Sequence, residues 1–552
     1  MLPSSRGLGH PPFTQATRVR ISLGVPNFSP CGLVVKHSLG KGESMGPIPI
    51  MGTNYMNKCI LFNVSTRNDD ILRGPGMYRI AHWLREHEWD VESIEYANYW
   101  TIDELKTLAK SRIDKDTKFL GFSHMFSIWS DTLEEFCVWM KVTYPDVVLI
   151  SGSSVKPSFT SQVIDYYVQG FGEQAILVVL KYLFSNGPRP KINIFNNGLK
   201  KIIAANDHYP AYPMKSLMIK YEDRDFVESW EALSIEFARG CMFACDFCNF
   251  PVLGVKGDYT RDTDDFILQV RDAYDRFGVT NYLVADETFN DRTDKITKFA
   301  DAVEQLDFQP WFSGFIRADL LISRPKEKEE LLRMNFLGQY YGIESLNTKT
   351  AKSVGKGMDC ERIKQGLIDI KDYFKTHGRK QYRGTISLMV GLPHETIESM
   401  QTTRQWLIDH WQGENFVVFA TEIGISDMDK KSKMSADYEK YGYTIMSDAA
   451  IEAAKVSNKY PAVFIHMNHG LLMWENQHMN YFDAVAIADD FYKMLYNNQH
   501  DFTIDCWAMF HPGIIGGLNS KLARKRGTWM EAEGVGNNII KNYITKKLNW
   551  QP

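Results

Sequence analysis

No stretch of this 552-residue chain approaches the roughly 18 consecutive apolar residues that a membrane-spanning helix requires, and the best candidate, Ala175 to Leu180, is broken at once by Lys181. A strong charge excess is also missing. With 63 Lys and Arg against 67 Asp and Glu the net charge is -4, so nothing global points to nucleic acid or to a membrane surface. Cysteine is scarce, with eight residues in the whole chain, which excludes a disulfide framework. Thiols that cluster, as three of these do, imply a reducing compartment, and the expected location is cytoplasmic. Acidic residues are absent from residues 1–42, which carry five Lys or Arg and show neither helical nor strand periodicity. Their glycines and prolines spoil the amphipathic helix of an organelle transit peptide. Thr17-Arg18-Val19-Arg20-Ile21 reads instead like a translated tRNA gene, since GTT-CGA-ATC encodes Val-Arg-Ile. The expectation is that residues 1–55 are a non-folded leader or a misplaced start, with the real start at Met51 or Met56.

What is present is an ordinary globular composition, 44% hydrophobic and 24% charged, with length for about three or four units. The chain is organised around Glu236 to Pro251, where Cys241, Cys245 and Cys248 stand in the pattern C-x-x-x-C-x-x-C. Three thiolates on one short loop suit an iron–sulfur cubane with one iron left open to a ligand. The competing reading is a zinc knuckle or a chance cluster of buried thiols, although zinc generally wants a fourth Cys or His nearby and none is adjacent.

From Lys58 to Leu183 short apolar strands alternate with helical patterns: strands at 58–64, 91–96, 119–123, 147–151 and 166–169, helices near 77–84, 102–109, 130–142 and 173–183. That alternation predicts a Rossmann-like parallel sheet covered on both faces, with ligands beyond the carboxyl ends of its strands. Residues 186–230, rich in turn formers, read as a linker. A second alternation occupies 231–427, with strands at 234–238, 282–285, 311–316, 338–342, 384–390 and 416–423. Each ends in polar or glycine residues, as in an open (β/α)6 barrel of the TIM type. Residues 428–552 are expected to form a mainly helical C-terminal region. His466, His469, His478, Cys506 and His511 there match no standard ligand spacing, and Lys521 to Arg526 reads as a solvated helix face.

Together the cysteine loop after the first barrel strand, Asp286-Glu287-x-Phe289 after the second, Gly342-Ile343-Glu344-Ser345 after the fourth and Gly391-Leu392-Pro393-x-Glu395-Thr396 after the fifth resemble the radical S-adenosylmethionine superfamily. Residues 56–185 resemble the cobalamin-binding-type domain that precedes the core in one branch, through Gly121-Phe122-Ser123, Leu149-Ile150-Ser151-Gly152 and Gly170-Phe171-Gly172-Glu173, and Lys356-Gly357 matches that branch too. Two departures stand out. Residues 65–76 contain no histidine that could reach cobalt, and Gly152-Ser153 replaces a glycine pair. His124 lies on the right sheet edge, but a lone loop histidine is more often structural.

The resemblance implies that Cys241, Cys245 and Cys248 hold a [4Fe–4S] cluster with Phe247 packed beside it, and that the open iron binds S-adenosylmethionine. Its cleavage would yield a 5′-deoxyadenosyl radical. Asp286 and Glu287 would contact the methionine amino group, Glu344 the ribose, and Gly391 and Pro393 would shape a turn beside the adenine. Arg317 would pair either with the cofactor carboxylate or with a neighbouring acid. The implied partners are a flavodoxin- or ferredoxin-type reductant and a substrate that no residue identifies, with no clear nucleic-acid module. Within that branch the simplest activity is a cobalamin-dependent methyltransferase. The alternatives are a cobalamin-free radical enzyme catalysing cyclisation, rearrangement or oxidation, and a non-catalytic metal-binding protein.

Overall fold

The computed structural model describes residues 57–64, 73–124, 129–153, 161–195, 200–210, 218–249, 259–378, 382–411, 416–426, 431–456, 471–497 and 529–551. The leader expected over 1–55, His466, His469, Cys506, His511 and the basic stretch 521–526 lie outside them.

The first sheet is assembled from β1 (Asn57–Val64), β2 (Trp89–Ile94), β3 (Thr117–His124), β4 (Val148–Ser153) and β5 (Tyr166–Gln169), linked by helices α1 (Pro75–Arg85), α2 (Ile102–Arg112) and α3 (Asp131–Thr143), with α4 (Glu173–Phe184) following β5. Local chemistry places the helix starts. Pro75 opens α1, Thr101 and Glu104 form a capping box on α2, and the Ser130 hydroxyl caps α3. The strands are parallel in the order β2-β1-β3-β4-β5, and the order reverses between β1 and β3, the switch point where such sheets take ligands.

The expected linker is not merely a linker. Residues 193–204 add two strands, β6 (Asn193–Phe195) and β7 (Lys200–Ala204), with β7 parallel to β5 and β6 antiparallel to β7. Their pairing partners lie in the sheet already formed, so two short runs that carry no periodicity of their own are held by ladder bonds at its edge.

The second sheet contains β8 (Ala232–Ile235), β11 (Asn281–Val284), β12 (Trp311–Ile316), β13 (Phe336–Glu344), β14 (Arg383–Val390) and β15 (Phe416–Glu422), all parallel and in chain order. A small ribbon, β9 (Ala238–Arg239) with β10 (Tyr259–Thr260), brackets the cysteine loop. The connecting helices are α5 (Thr263–Phe277), α6 (Thr293–Val303), α7 (Ala318–Ser323), α8 (Glu327–Arg333), α9 (Thr348–Ser353), α10 (Cys360–His377) and α11 (Ile397–His410). Asp262 caps the start of α5 and Gly278, at φ +71°, ends it in the left-handed conformation. This is the open six-stranded half-barrel that the strand spacing predicts.

Beyond it come β16 (Ile425–Ser426), α12 (Lys433–Ala436), β17 (Thr444–Ile445), α13 (Asp448–Val456), β18 (Leu471–Leu472), β19 (Trp474–Glu475), α14 (Tyr481–Asn497) and α15 (Trp529–Asn549). The expected C-terminal region does not stay together. Ile540, Tyr543 and Ile544 of α15 are buried in the core that β1, β2 and β3 form with α2 and α3, so the last helix belongs to the first sheet. Buried charge fixes it there: Arg112 pairs with Glu92 at 3.2 Å and donates to the Lys547 carbonyl at 2.9 Å, while the Lys547 ammonium lies 3.6 Å from Glu92.

Candidate functional site

The cysteine loop leaves the carboxyl end of β8 through β9. Cys241, Cys245 and Cys248 are half-buried and not disulfide-bonded, and the Cys248 amide donates to the Cys245 carbonyl in a tight turn. They differ from Cys59, Cys137 and Cys360, which are core residues whose thiols burial pushes up. Among the described residues no three His, Cys, Asp or Glu side chains converge on a point that could hold a single ion. Three thiols on one loop are the donor set of a cubane, which takes one thiolate on each of three irons, whereas a zinc knuckle takes a fourth Cys or His. Gly355, at φ +88°, brings its backbone against the loop, where an added Cβ would stand 3.6 Å from Cys245 Cα. Phe247 packs on the core with the Lys356 ammonium 5.9 Å from its ring.

The other expected residues lie at the ends of neighbouring strands. After β11, Asp286 is turned into the wall, 2% exposed, accepting from the Phe237 amide at 2.7 Å with Lys295 at 3.9 Å. Desolvation pushes its carboxyl up to about 7 despite that lysine. Glu287 is the member of the pair beside the cysteine loop, accepting from the Gly240 amide at 3.2 Å, and burial raises its carboxyl as well. After β12, the Arg317 guanidinium grips Asp319 with two bonds, at 3.0 and 2.6 Å. The guanidinium carbon lies over the Phe243 ring, 3.9 Å from its centroid, and Nη1 reaches to 3.8 Å from the Cys245 sulfur.

At the end of β13 a register shift between Gly342 and Glu344 re-aims the chain, and Glu344 takes φ +66°, costly for a residue with a side chain. Lys356 holds it there, with its ammonium 3.3 Å from the carboxylate and donating to the Gly342 carbonyl at 2.8 Å. After β14, Gly391 has φ +89°. The Trp474 ring fills the space that a side chain at Gly391 would take, and an added Cβ would overlap that ring. The Tyr443 hydroxyl donates to the Gly391 carbonyl at 2.7 Å, and Pro393 is buried within the same turn.

Several contacts around these strand ends have no signal in the sequence. Glu395, quoted only as part of a motif, fastens two strand ends: one oxygen accepts from the Gly391 amide at 2.8 Å and the other from the Ser345 hydroxyl at 3.1 Å. Burial pushes this carboxyl up to about 7. Arg239, two residues before Cys241, bonds Glu173 at the start of α4 at 2.5 Å and Glu236 at 3.0 Å, and Arg79 of α1 also pairs with Glu236. Burial alone would raise the Glu173 carboxyl, but Arg239 outweighs it and holds the group below its ordinary range. The carboxyl edge of the first sheet is thereby bolted to the base of the cysteine loop. On that edge His124 is buried edge-on against Trp129 and Tyr167, and His478 lies in the turn after β19.

Residues 235–407 match the family model described as the Radical SAM superfamily. A Methanocaldococcus jannaschii protein provisionally named a methylthiotransferase is 24% identical over 201 residues, 35% of this chain, and the match spans 43% of that relative's length. Two solved structures share the fold. The radical S-adenosylmethionine methyltransferase TsrM from Kitasatospora setae, with tryptophan substrate and an S-adenosylmethionine analogue bound, has a TM-score of 0.60 at 12% identity, covering 88% of this chain and 99% of that one. The cobalamin-dependent S-adenosylmethionine radical enzyme OxsB, with aqua-cobalamin and S-adenosylmethionine bound, has a TM-score of 0.52 at 13% identity, covering 89% and 79%. At such identities the likeness is one of fold. The chain carries a Radical SAM domain over residues 235–407, behind a parallel sheet domain, in a fold shared with these two enzymes.

Proposed function

We propose that this enzyme holds a [4Fe–4S] cluster on Cys241, Cys245 and Cys248, cleaves S-adenosylmethionine reductively, and transfers a methyl group with cobalamin seated at the carboxyl edge of the first sheet. The observation that carries the reading is the three half-buried thiols on one loop, with Glu287, Arg317, Glu344 and the Gly391 turn at the ends of successive parallel strands around them. A bound cluster supplies the electron that splits S-adenosylmethionine into methionine and a 5′-deoxyadenosyl radical. The residues of the chain bind and orient. Glu287 offers a carboxylate beside the loop to a methionine ammonium, and Glu344, fixed by Lys356, presents oxygens to ribose hydroxyls. Arg317 lays a cation against Cys245, where it offsets thiolate charge. Fold likeness to a methyltransferase and to a cobalamin-dependent enzyme supports the methyl-transfer reading. The electron would come from a flavodoxin- or ferredoxin-type donor, and a reducing, cytosolic location would suit thiols not joined in disulfides.

A second reading, in which the first sheet is a scaffold without a corrinoid, is favoured by the commitments at its edge. Glu173 is bonded to Arg239, and Glu95 accepts from the Asn63 side chain at 2.6 Å and from the Gly74 amide at 3.1 Å. Anaerobic incubation with S-adenosylmethionine, reductant and cobalamin tests both. Wild type is expected to release 5′-deoxyadenosine and to retain corrinoid absorbance through gel filtration, while Cys245→Ala releases none. Equal product from both proteins overturns the cluster assignment. Product without retained corrinoid selects the scaffold reading.

A further inference from the structure

The segment that follows the half-barrel clasps the cysteine loop from outside. The Ser432 amide donates to the Asn249 side-chain oxygen at 2.6 Å, and the Met434 amide donates to the Asp246 carbonyl at 2.8 Å. The Asp246 carboxylate, directly after Cys245, takes the Lys433 ammonium on one oxygen at 2.9 Å and the Tyr441 hydroxyl on the other at 2.7 Å. Its own amide donates to the Val354 carbonyl at 3.3 Å. Every polar atom of Asp246 is thus engaged by a group outside the loop. Two residues past Tyr441, Tyr443 bonds the Gly391 carbonyl, so one short stretch ties the cysteine loop to the turn after β14.

The three holds on Asp246 are unequal. Lys433 is 66% exposed, and a pair so solvated holds weakly. The phenol and the Met434 amide fix the geometry. With a cluster bound, a carboxylate on the residue after Cys245 would add a negative charge to those of the ligating thiolates, and such a charge disfavours an incoming electron.

We propose that Asp246, held by Tyr441, Met434 and Lys433, is a positioning residue that fixes the Cys245–Cys248 turn and sets the reduction potential of the metal cluster. This rests on the cluster assignment above. Its test uses the full chain reconstituted anaerobically with iron and sulfide, as wild type, Asp246→Asn and Tyr441→Phe. The measurements are iron and sulfide content, the rate of iron loss to a chelator, and the midpoint potential followed by electron paramagnetic resonance. Asp246→Asn is expected to take up the cluster, to lose iron about tenfold faster, in keeping with the loss of charge-assisted hydrogen bonds, and to show a higher midpoint because a negative charge is gone. Tyr441→Phe keeps the charge. It is expected to lose iron faster with a midpoint no higher than wild type, and it remains informative if Asp246→Asn fails to fold. Wild-type potential and wild-type iron loss in both variants overturn the proposal while leaving the cluster reading intact. A wild type that takes up zinc, or no iron and sulfide, overturns the cluster reading itself.

Discussion

Glu395 shows how one buried side chain can set the response of a site to pH. Its carboxyl lies near pH 7 in the folded chain against an ordinary value of 4.5, because burial penalises the charge more than its two donors favour it. Folding therefore retains a proton that the unfolded chain gives up. The stabilisation is complete below about pH 4.5 and is lost as the pH rises through 7, worth about 3 kcal/mol for a carboxyl raised from 4.5 to about 7. Glu395→Gln, which resembles the protonated form, is expected to match wild type near pH 5 and to melt higher than wild type at pH 8. Thermal melts of both proteins across that range check this, and parallel curves would show that Glu395 is not the group responsible. Single residues also mark what the sequence does reveal. The three cysteines are legible because no core requires thiols at that spacing, and Glu344 and Gly391 because they end strands. Trp474 against Gly391 is not, since an indole far along the chain carries no sign of the glycine it covers.

At the scale of elements, the alternation of short apolar strands with amphipathic helices makes both sheets readable. Parallel strands buried on two faces give unbroken apolar runs such as Ile60 to Phe62. The failures share a cause. β6 and β7 have three and five residues, and α15 spaces its buried residues Ile540, Tyr543, Ile544 and Lys547 among lysines, asparagines and glycines. Each is held by a distant partner and not by its own pattern. Because Tyr543 accepts from the Glu95 amide at 3.0 Å, Tyr543→Phe should cost about 1–2 kcal/mol by leaving that buried amide without its acceptor. Removing residues from 529 onward should do more, raising hydrogen exchange in β2 and α2 while β11 to β14 keep wild-type protection. Uniform protection after truncation would mean that the helix only rests on the sheet.

At the scale of the molecule, the two sheets are coupled by charge. Glu173, Arg79, Glu236 and Arg239 are withdrawn from solvent between the carboxyl edge of one sheet and the loop of the other, and breaking such a pair on one side costs about 3–5 kcal/mol. Arg239→Met leaves Glu173 buried without its bonded partner. It should split one calorimetric unfolding transition into two, the first sheet melting earlier. A single transition at the wild-type temperature would show that apolar contact, not this network, joins the sheets. None of the pairing is legible in the chain order, because arginine and glutamate look the same whether they face water or each other.

The return of α15 to the first sheet also has a consequence for how the protein is made. The Glu95 amide lies 448 residues before the hydroxyl that satisfies it. At roughly 5–20 residues per second that is on the order of 20–90 s of synthesis, during which the first sheet stands on the ribosome with one edge of its core uncovered. The half-barrel, wholly encoded in between, can fold within that interval. Of the two sheets, the one synthesised earlier is therefore completed later, and the nascent chain needs shelter at β2 and α2 until α15 arrives.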